Sequence, residues 1–570
     1  MSDILCPVQL AMAPPTPVLL TLTAAGLCVL KVIFVPELYP NTKLTTLYLA
    51  LASAVFVVYY GVWCTVIYPK FASPLRHLPQ PKSGTIFGIG FPSVILKRPN
   101  GELFLKLITE IPNEGLIRFP GLFNSDYLLL TGPSSLSEVL VHKSYDFEKP
   151  KELRKFLRII LGDGLILVEG DVHKFQRKHV SPAFSFRHIK ELIPVFWQKA
   201  WDMTGRIAAE IHENPEPLVD EKNKNRSGVV EINHWANKVT MDIIGVAGLG
   251  RDFNSLYNAD DPLVANYEEI LEPTAEKALF FGANMLFSPK LVAKLPWKLN
   301  QRLKGTMATL RGVCHQLLQE KKDLMKADKE QPVNILSLLI KSNNFDDEML
   351  IDQLLTFLAA GHETTSSAFT WATHLLAINP DIQARLREEI RSNLPSPSTP
   401  WTNDSNPTDY ASILESLPYL HGVCSEVIRL FPTVPSTVRI AVRDTTINNT
   451  PIPKGTRIFL TPWGVNRSPH LWGNTATDFV PERWIDAETG KANNTGGVTS
   501  NYSNLTFLHG PRSCIGEKFA RSELKALVAV FCGTFDIRMA DPNEVPVPAG
   551  VITTKPKNGM SLRLQVVDGW

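Results

Sequence analysis

The stretch Phe507-Leu508-His509-Gly510-Pro511-Arg512-Ser513-Cys514-Ile515-Gly516 decides the reading of this 570-residue chain. One cysteine stands between two glycines, an arginine lies two positions before it, and a helical apolar pattern begins directly after it. Gly510 admits a turn that side-chain-bearing residues resist, and Gly516 admits close approach of the backbone to a flat ligand. A thiolate at a helix start gains from the positive end of the helix dipole. The arrangement suits a metal-binding thiolate at Cys514, with Arg512 meeting an anion beside the metal plane. The bland alternative is an inert buried cysteine, which most free cysteines are.

Two upstream segments bear on that choice. Glu426-Val427-Ile428-Arg429 places a glutamate and an arginine three apart on a predicted helix, where they share a face. Pro481-Glu482-Arg483-Trp484 follows about 50 residues later. Further upstream, Ala360-Gly361-His362-Glu363-Thr364-Thr365 sits inside a long helical pattern. Glycine there costs ~1 kcal/mol against alanine, and threonine side chains compete for backbone carbonyls. Local rules broken without compensation point to a functional site, the alternative being a small-residue helix crossing.

Taken in this order, the three segments and the cysteine loop resemble the cytochrome P-450 family. Phe507 to Gly516 matches its F-x-x-G-x-R-x-C-x-G haem-binding loop, with Phe507, Gly510, Arg512 and Gly516 shaping the cofactor site and Cys514 as the iron ligand. The resemblance implies that Glu426, Arg429 and Arg483 form a buried structural charge network, tolerable only if every charge is paired. It implies that Gly361 opens a groove for dioxygen, while Thr364 and Glu363 deliver protons. Gly170–Arg177 resembles the family's W-x-x-x-R stretch, with His173 in place of the tryptophan; Arg177 and Arg439 then bind haem propionates.

The implied activity is a haem-thiolate monooxygenase using haem b, iron protoporphyrin IX. Thiolate ligation favours O–O cleavage, while the protein orients substrate and supplies protons. Only residues 517–570 follow the loop, so no flavin module does, and NADPH electrons are expected through a separate flavoprotein reductase. Lys518, Arg521 and Lys525 offer a basic docking face for it, with an ordinary solvated helix face as the alternative. The expected substrate is a lipophilic small molecule, such as a terpenoid, polyketide, fatty-acyl or foreign compound. Pocket walls are expected from 434–438, 550–552 and the region before Ala360. Alternatives are a haem-thiolate isomerase or dehydratase needing no reductant, and a non-catalytic haem-binding protein; neither has use for Thr364 and Glu363 as a proton relay.

Composition sets outer bounds. Hydrophobic residues at 44% and charged residues at 20% exclude a disordered or collagen-like chain. A net charge of +2 offers no bulk attraction for nucleic acid. Seven scattered cysteines exclude a disulfide scaffold. Residues 44–68 form an uncharged run of 25 residues, about 37 Å as a helix, enough to cross a ~30 Å hydrocarbon layer. Residues 17–35, apolar apart from Lys31, are a possible second span. Lys70, Arg76 and Lys82 follow the span, so the positive-inside rule puts the remainder on the cytoplasmic side, at the endoplasmic reticulum by the family resemblance. The expected organisation is an anchor (1–71), a proline-rich hinge (72–85) and a haem-thiolate domain (86–570), mainly α with small β-sheets. Helices are expected over 344–378, 418–430 and 516–531, and strands over 436–442, 457–460 and 561–566. The apolar and basic run Ala278–Leu299 is expected to dip into the bilayer.

Overall fold

The computed structural model describes residues 58–59, 61–81, 98–121, 124–213, 227–257, 275–286, 297–327, 334–399, 409–550 and 553–570, with positions 55, 292 and 295. Its helices are α1 (Glu102–Glu110), α2 (Lys151–Leu161), α3 (Gly170–Val180), α4 (Phe186–Glu213), α5 (Ile232–Ile243), α6 (Ala275–Leu286), α7 (Lys298–Lys326) and α8 (Ile335–Ser342). They continue with α9 (Asp347–Ile378), α10 (Pro380–Asn393), α11 (Tyr410–Ser416), α12 (Pro418–Leu430) and α13 (Glu517–Thr534). The strands are β1 (Leu116–Pro120), β2 (Asp126–Leu130), β3 (Phe147–Glu148), β4 (Ser227–Glu231), β5 (Thr437–Ala441) and β6 (Thr445–Ile447). They end with β7 (Thr450–Ile452), β8 (Arg457–Leu460), β9 (Phe535–Met539), β10 (Pro548–Ala549), β11 (Lys555–Pro556) and β12 (Ser561–Val566). The fold is mainly helical with small sheets.

The axis is α9, about 48 Å long at 1.5 Å per residue. Asp346 caps it by accepting the Met349 N–H at 2.8 Å, and Asp347 and Glu348 fill the first turn, where acids favour the helix dipole. It stops at Asn379, before Pro380. The helix starts three residues later than the apolar pattern suggested, because Asp346 satisfies the first amides better than a further helical turn would. α5, α7, α12, α13 and β9 pack around it, so the helix is buried on most of its circumference.

A second core lies in the five-stranded sheet β1-β2-β8-β5-β3. β2 pairs parallel with β8, and β5 pairs antiparallel with β8 through Arg439 opposite Ile458. β4-β12-β9 form an antiparallel sheet against the ends of α4 and α13. The β6–β7 hairpin turns through Asn448 and Asn449 at φ 48° and 60°, a turn that asparagine tolerates.

Most of the expected span lies outside the described residues, as do 17–35 and 82–97. Among the described residues no helix is long and apolar enough to cross a membrane. The segment after it is not a free hinge. Leu75 and Leu78 are buried in the sheet core, Ser73 bonds Asp126, and Arg118 Nη2 donates to Pro69 O at 2.7 Å. Prolines stiffen residues 73–81, but it is the two leucines that fasten them to β1 and β2.

Candidate active site

The cysteine loop is held by its own backbone. Cys514 N–H donates to Phe507 O at 2.8 Å and Ser513 N–H to Gly510 O at 3.0 Å, closing a short turn before α13. Gly510 has φ +75°, and a Cβ there would stand 2.1 Å from Leu140 O. Both the left-handed backbone and the close approach therefore require glycine. Gly516 differs: at φ −88° it needs no special conformation, and a Cβ would meet only Phe184 at 3.9 Å. Protein atoms leave space beside it, as a flat ligand over the loop requires. Cys514 retains solvent-accessible surface, yet it stands among enough protein that burial pushes its thiol up to about 11. The Gly516 amide, Arg177 and Arg521 oppose that shift, and Glu517 reinforces it. A metal cation would reverse this balance, since a coordinating thiol is deprotonated outright.

Beside the loop lies a concentration of cations. Arg512 pairs with Glu169 and with Ser144 O, and its guanidinium covers the Tyr145 ring at 4.5 Å. Its Nε is buried and has no hydrogen-bond partner among the described residues. Arg177 on α3 donates to Ser513 O at 2.6 Å and to Ser513 Oγ at 3.3 Å, next to Cys514. Arg439 on β5 is buried, donating to Thr437 Oγ1 at 2.9 Å and Val438 O at 3.0 Å, and burial lowers it to about 10. Lys149 stands 3.9 Å from Glu169; burial, then Arg439, bring its ammonium down to about 7 against the pull of Glu169. His173 is buried with Nδ1 3.2 Å from Tyr145 Oη, and burial, then Arg512 and Lys149, lower it to about 4. It is therefore neutral at pH 7 and adds no charge. Four cationic side chains (Lys149, Arg177, Arg439, Arg512) thus face one carboxylate, Glu169. An excess of buried positive charge with an orphaned guanidinium nitrogen fits a ligand bearing two carboxylates, as haem does.

On α9, Thr364 Oγ1 donates to Ala360 O at 2.6 Å, a back-bond within the helix. Glu363 is paired with Lys555 Nζ of β11 at 3.0 Å, both side chains mostly buried. Ser367 and Trp371, further along the same helix, both donate to Thr554 O, so the β10–β11 hairpin is fastened to α9 beside Glu363. Gly361 has a packing reason of its own: a Cβ would come within 2.7 Å of Ile244 Cδ1. Gly361 thus sits at a close helix crossing, where a side chain would have to displace that of Ile244. Thr364 and Phe507 line one cavity together with Ala368 and Thr433, joining α9 to the cysteine loop.

Glu426 is saturated. It accepts from Arg429 Nε and Nη2 at 2.7 Å each, Arg483 Nε at 2.8 Å, Trp484 Nε1 at 2.8 Å and Val480 N at 3.2 Å. Arg429, fully buried, spends its remaining donors on Asn466 O and Ala476 O at 2.6 Å and Asp478 O at 3.2 Å. The structure brings Glu426, Arg429 and Arg483 together, with every charge partnered.

Three expectations change. Lys525 does not face outward: it is buried and paired with Glu415 at 2.8 Å. Arg521 leans on Glu517 at 2.9 Å and on Phe507, so of the expected basic face Lys518 alone is freely exposed. Phe280 does not point to a bilayer; it is buried against Phe156 and Trp297, because α6 folds back on α2. Residues 287–291, 551 and 552 lie outside the described residues.

Sequence reasoning missed Lys149, Glu169, Lys555 and Trp484 as partners. Only Trp484 had a local signal, standing in the Pro481–Trp484 segment itself. It also passed over Glu523 of α13, fully buried near Thr365, with neither carboxyl oxygen in hydrogen-bonding geometry among the described residues. Burial holds its pKa well above the ordinary carboxylate value.

Comparison with known proteins agrees with this geometry. A match to the family described as cytochrome P-450 runs over residues 121–562. The chain is 41% identical over 508 residues to the cytochrome P-450 monooxygenase sphH of Aspergillus fumigatus, covering 88% of this chain and 90% of that protein. It is 39% identical over 513 residues to the cytochrome P-450 monooxygenase ptmK of Penicillium ochrochloron, covering 89% and 98%. Against the cytochrome P-450 monooxygenase ALT8 of Alternaria alternata it is 37% identical over 559 residues, covering 89% and 92%. A thiol beside a space open to a flat ligand, cations awaiting carboxylates and similarity across nearly nine-tenths of the chain lead to one conclusion: the protein belongs to the cytochrome P-450 family of haem-dependent monooxygenases.

Proposed function

We propose that this protein inserts one oxygen atom of dioxygen into a lipophilic small molecule of fungal secondary metabolism. The observation that carries the reading is Cys514 in its glycine-framed loop with Arg177 donating to the adjacent Ser513 and Arg512 buried beside it, while Thr364 and Phe507 line a cavity between α9 and that loop. Haem bound through Cys514 would supply the thiolate-ligated iron that activates dioxygen. The overall reaction takes one C–H bond, O₂, two electrons and two protons, and releases an alcohol and one water. Arg177, Arg439, Arg512 and Lys149 would hold the cofactor's carboxylates. Thr364 Oγ1 would hold and pass on a proton, its back-bond to Ala360 O fixing the hydroxyl's place. Glu363, held by Lys555, is the carboxylate from which that hydroxyl is resupplied. Apolar side chains of α9 and of the segment around Thr433–Val438 exclude water and orient substrate by shape.

Electrons arrive from NADPH through a separate flavoprotein reductase in this reading. The chain lies at the endoplasmic reticulum membrane, its haem domain on the cytoplasmic side, anchored by residues 44–68. That placement is supported by the uncharged run and the positive charges after it. One spectrum tests the core of the reading. The reduced, carbon-monoxide-bound protein is expected to show the red-shifted Soret band of a thiolate ligand, and Cys514→Ala to lose it. NADPH consumption with reductase and a panel of lipophilic compounds then identifies turnover; a protein that never shows the thiolate band is not this enzyme.

A further inference from the structure

The cation cluster contains one group that a haem-carboxylate pocket does not need. Glu169 stands just before α3, its side chain 4% exposed, paired with Arg512 and 3.9 Å from Lys149 Nζ. It also accepts the Lys149 backbone N–H at 3.0 Å. Both cations it engages belong to the set left to receive the cofactor, and it is Oε2 that the Arg512 guanidinium approaches. An anion in this position attracts Arg512 and Lys149 and repels any further carboxylate brought to them. At the separations of such a pocket like charges interact strongly, because little water screens them.

We propose that Glu169 is a resident counter-ion of the propionate pocket, which competes with the haem carboxylates for Arg512 and Lys149 and so loosens haem retention. The inference rests on the haem-thiolate reading above. The charge arithmetic gives it direction. With Lys149 protonated, as arriving carboxylates favour, four cations less Glu169 leave +3, and two haem carboxylates bring the pocket to +1. Without the glutamate charge the same pocket holds the two carboxylates at +2, with no resident anion near them. The ferrous state, one electron richer, gains from the same change.

The test uses the haem-loaded full chain. Haem loss to excess apomyoglobin and the iron midpoint potential are measured for the wild type, Glu169→Gln and Glu169→Asp. Glu169→Gln keeps shape and removes charge, so haem loss is expected to slow on the order of tenfold and the potential to move positive. Glu169→Asp keeps the charge and is expected to stay within about twofold of the wild type. Haem loss unchanged or faster in Glu169→Gln overturns the proposal and leaves Glu169 a mere organiser of Arg512. Should that variant fail to accumulate, Glu169→Ser is the second arm: it also removes the charge, so haem loss is expected to slow by about the same factor, and an unchanged or faster rate overturns the idea. The two readings fail differently: absence of the thiolate band in the wild type sinks the haem-thiolate assignment, whereas unaltered haem loss with that band present sinks only the counter-ion.

Discussion

Two fully buried glutamates, Glu426 and Glu523, should respond to the same isosteric change in opposite ways. Glu426 accepts five hydrogen bonds, from two arginines, a tryptophan and a backbone amide. Glutamine there leaves Arg429 and Arg483 without their anion, and breaking a buried ion pair from one side costs about 3–5 kcal/mol. Among the described residues Glu523 has none of these donors, with only the Thr365 hydroxyl opposing the burial that raises its pKa well above 4.5. The folded chain holds that proton more tightly than the unfolded chain. The stability carried by the protonated acid is therefore full below pH 4.5 and is lost as pH rises toward the folded value. The loss amounts to about 1.4 kcal/mol per pH unit while the folded acid stays protonated. Glu523→Gln has no proton to lose, so its stability relative to the wild type should climb as pH rises above the ordinary carboxylate range, by at most that slope. Urea unfolding of the detergent-solubilised, haem-loaded protein at pH 5, 6, 7 and 8 measures it. Glu426→Gln serves as the counterweight, destabilised at every pH. Parallel pH profiles for the wild type and Glu523→Gln, or a Glu523→Gln variant weaker at pH 8 than at pH 5 relative to the wild type, would refute the assignment of a neutral acid.

Other outcomes follow from single contacts. Thr364→Ala is expected to keep the thiolate carbon-monoxide spectrum while NADPH consumption separates from product formation; equal coupling in both proteins removes Thr364 from proton delivery. Gly510→Ala forces a left-handed turn onto a side chain whose Cβ would stand 2.1 Å from Leu140 O, so haem-loaded protein should fall at least tenfold, read from the ratio of Soret to protein absorbance. Lys555→Met strands the mostly buried Glu363 carboxylate, and product formed per NADPH should drop several-fold, with Lys555→Arg restoring most of it. Coupling equal to the wild type in Lys555→Met would detach the β10–β11 hairpin from the chemistry.

The parts of the site legible in the sequence are those confined to one segment. Gly510, Arg512, Cys514 and Gly516 lie within seven residues, and their chemistry follows from turn, helix start and side-chain type. Glu426 and Arg429 share a helical face by spacing alone, and the stop of α9 before Pro380 is a local steric fact. Lys525 shows where this reasoning ends. One turn past Arg521 it reads as another exposed cation, but α11 brings Glu415 against it and the pair is buried. Phe280 likewise reads as membrane-facing until α6 turns it onto Phe156.

What the chain alone determined is the local chemistry: a cysteine in a glycine-framed loop, a threonine–glutamate pair in a long helix, and a paired glutamate–arginine helix face. Tertiary structure decided the electrostatics around them. Whether a buried glutamate is held by five donors or left with its pKa raised by burial depends on which distant segments arrive beside it. Charge interactions and burial act through space, so Glu169 acquires its meaning only when β5, α3 and the cysteine loop converge on it.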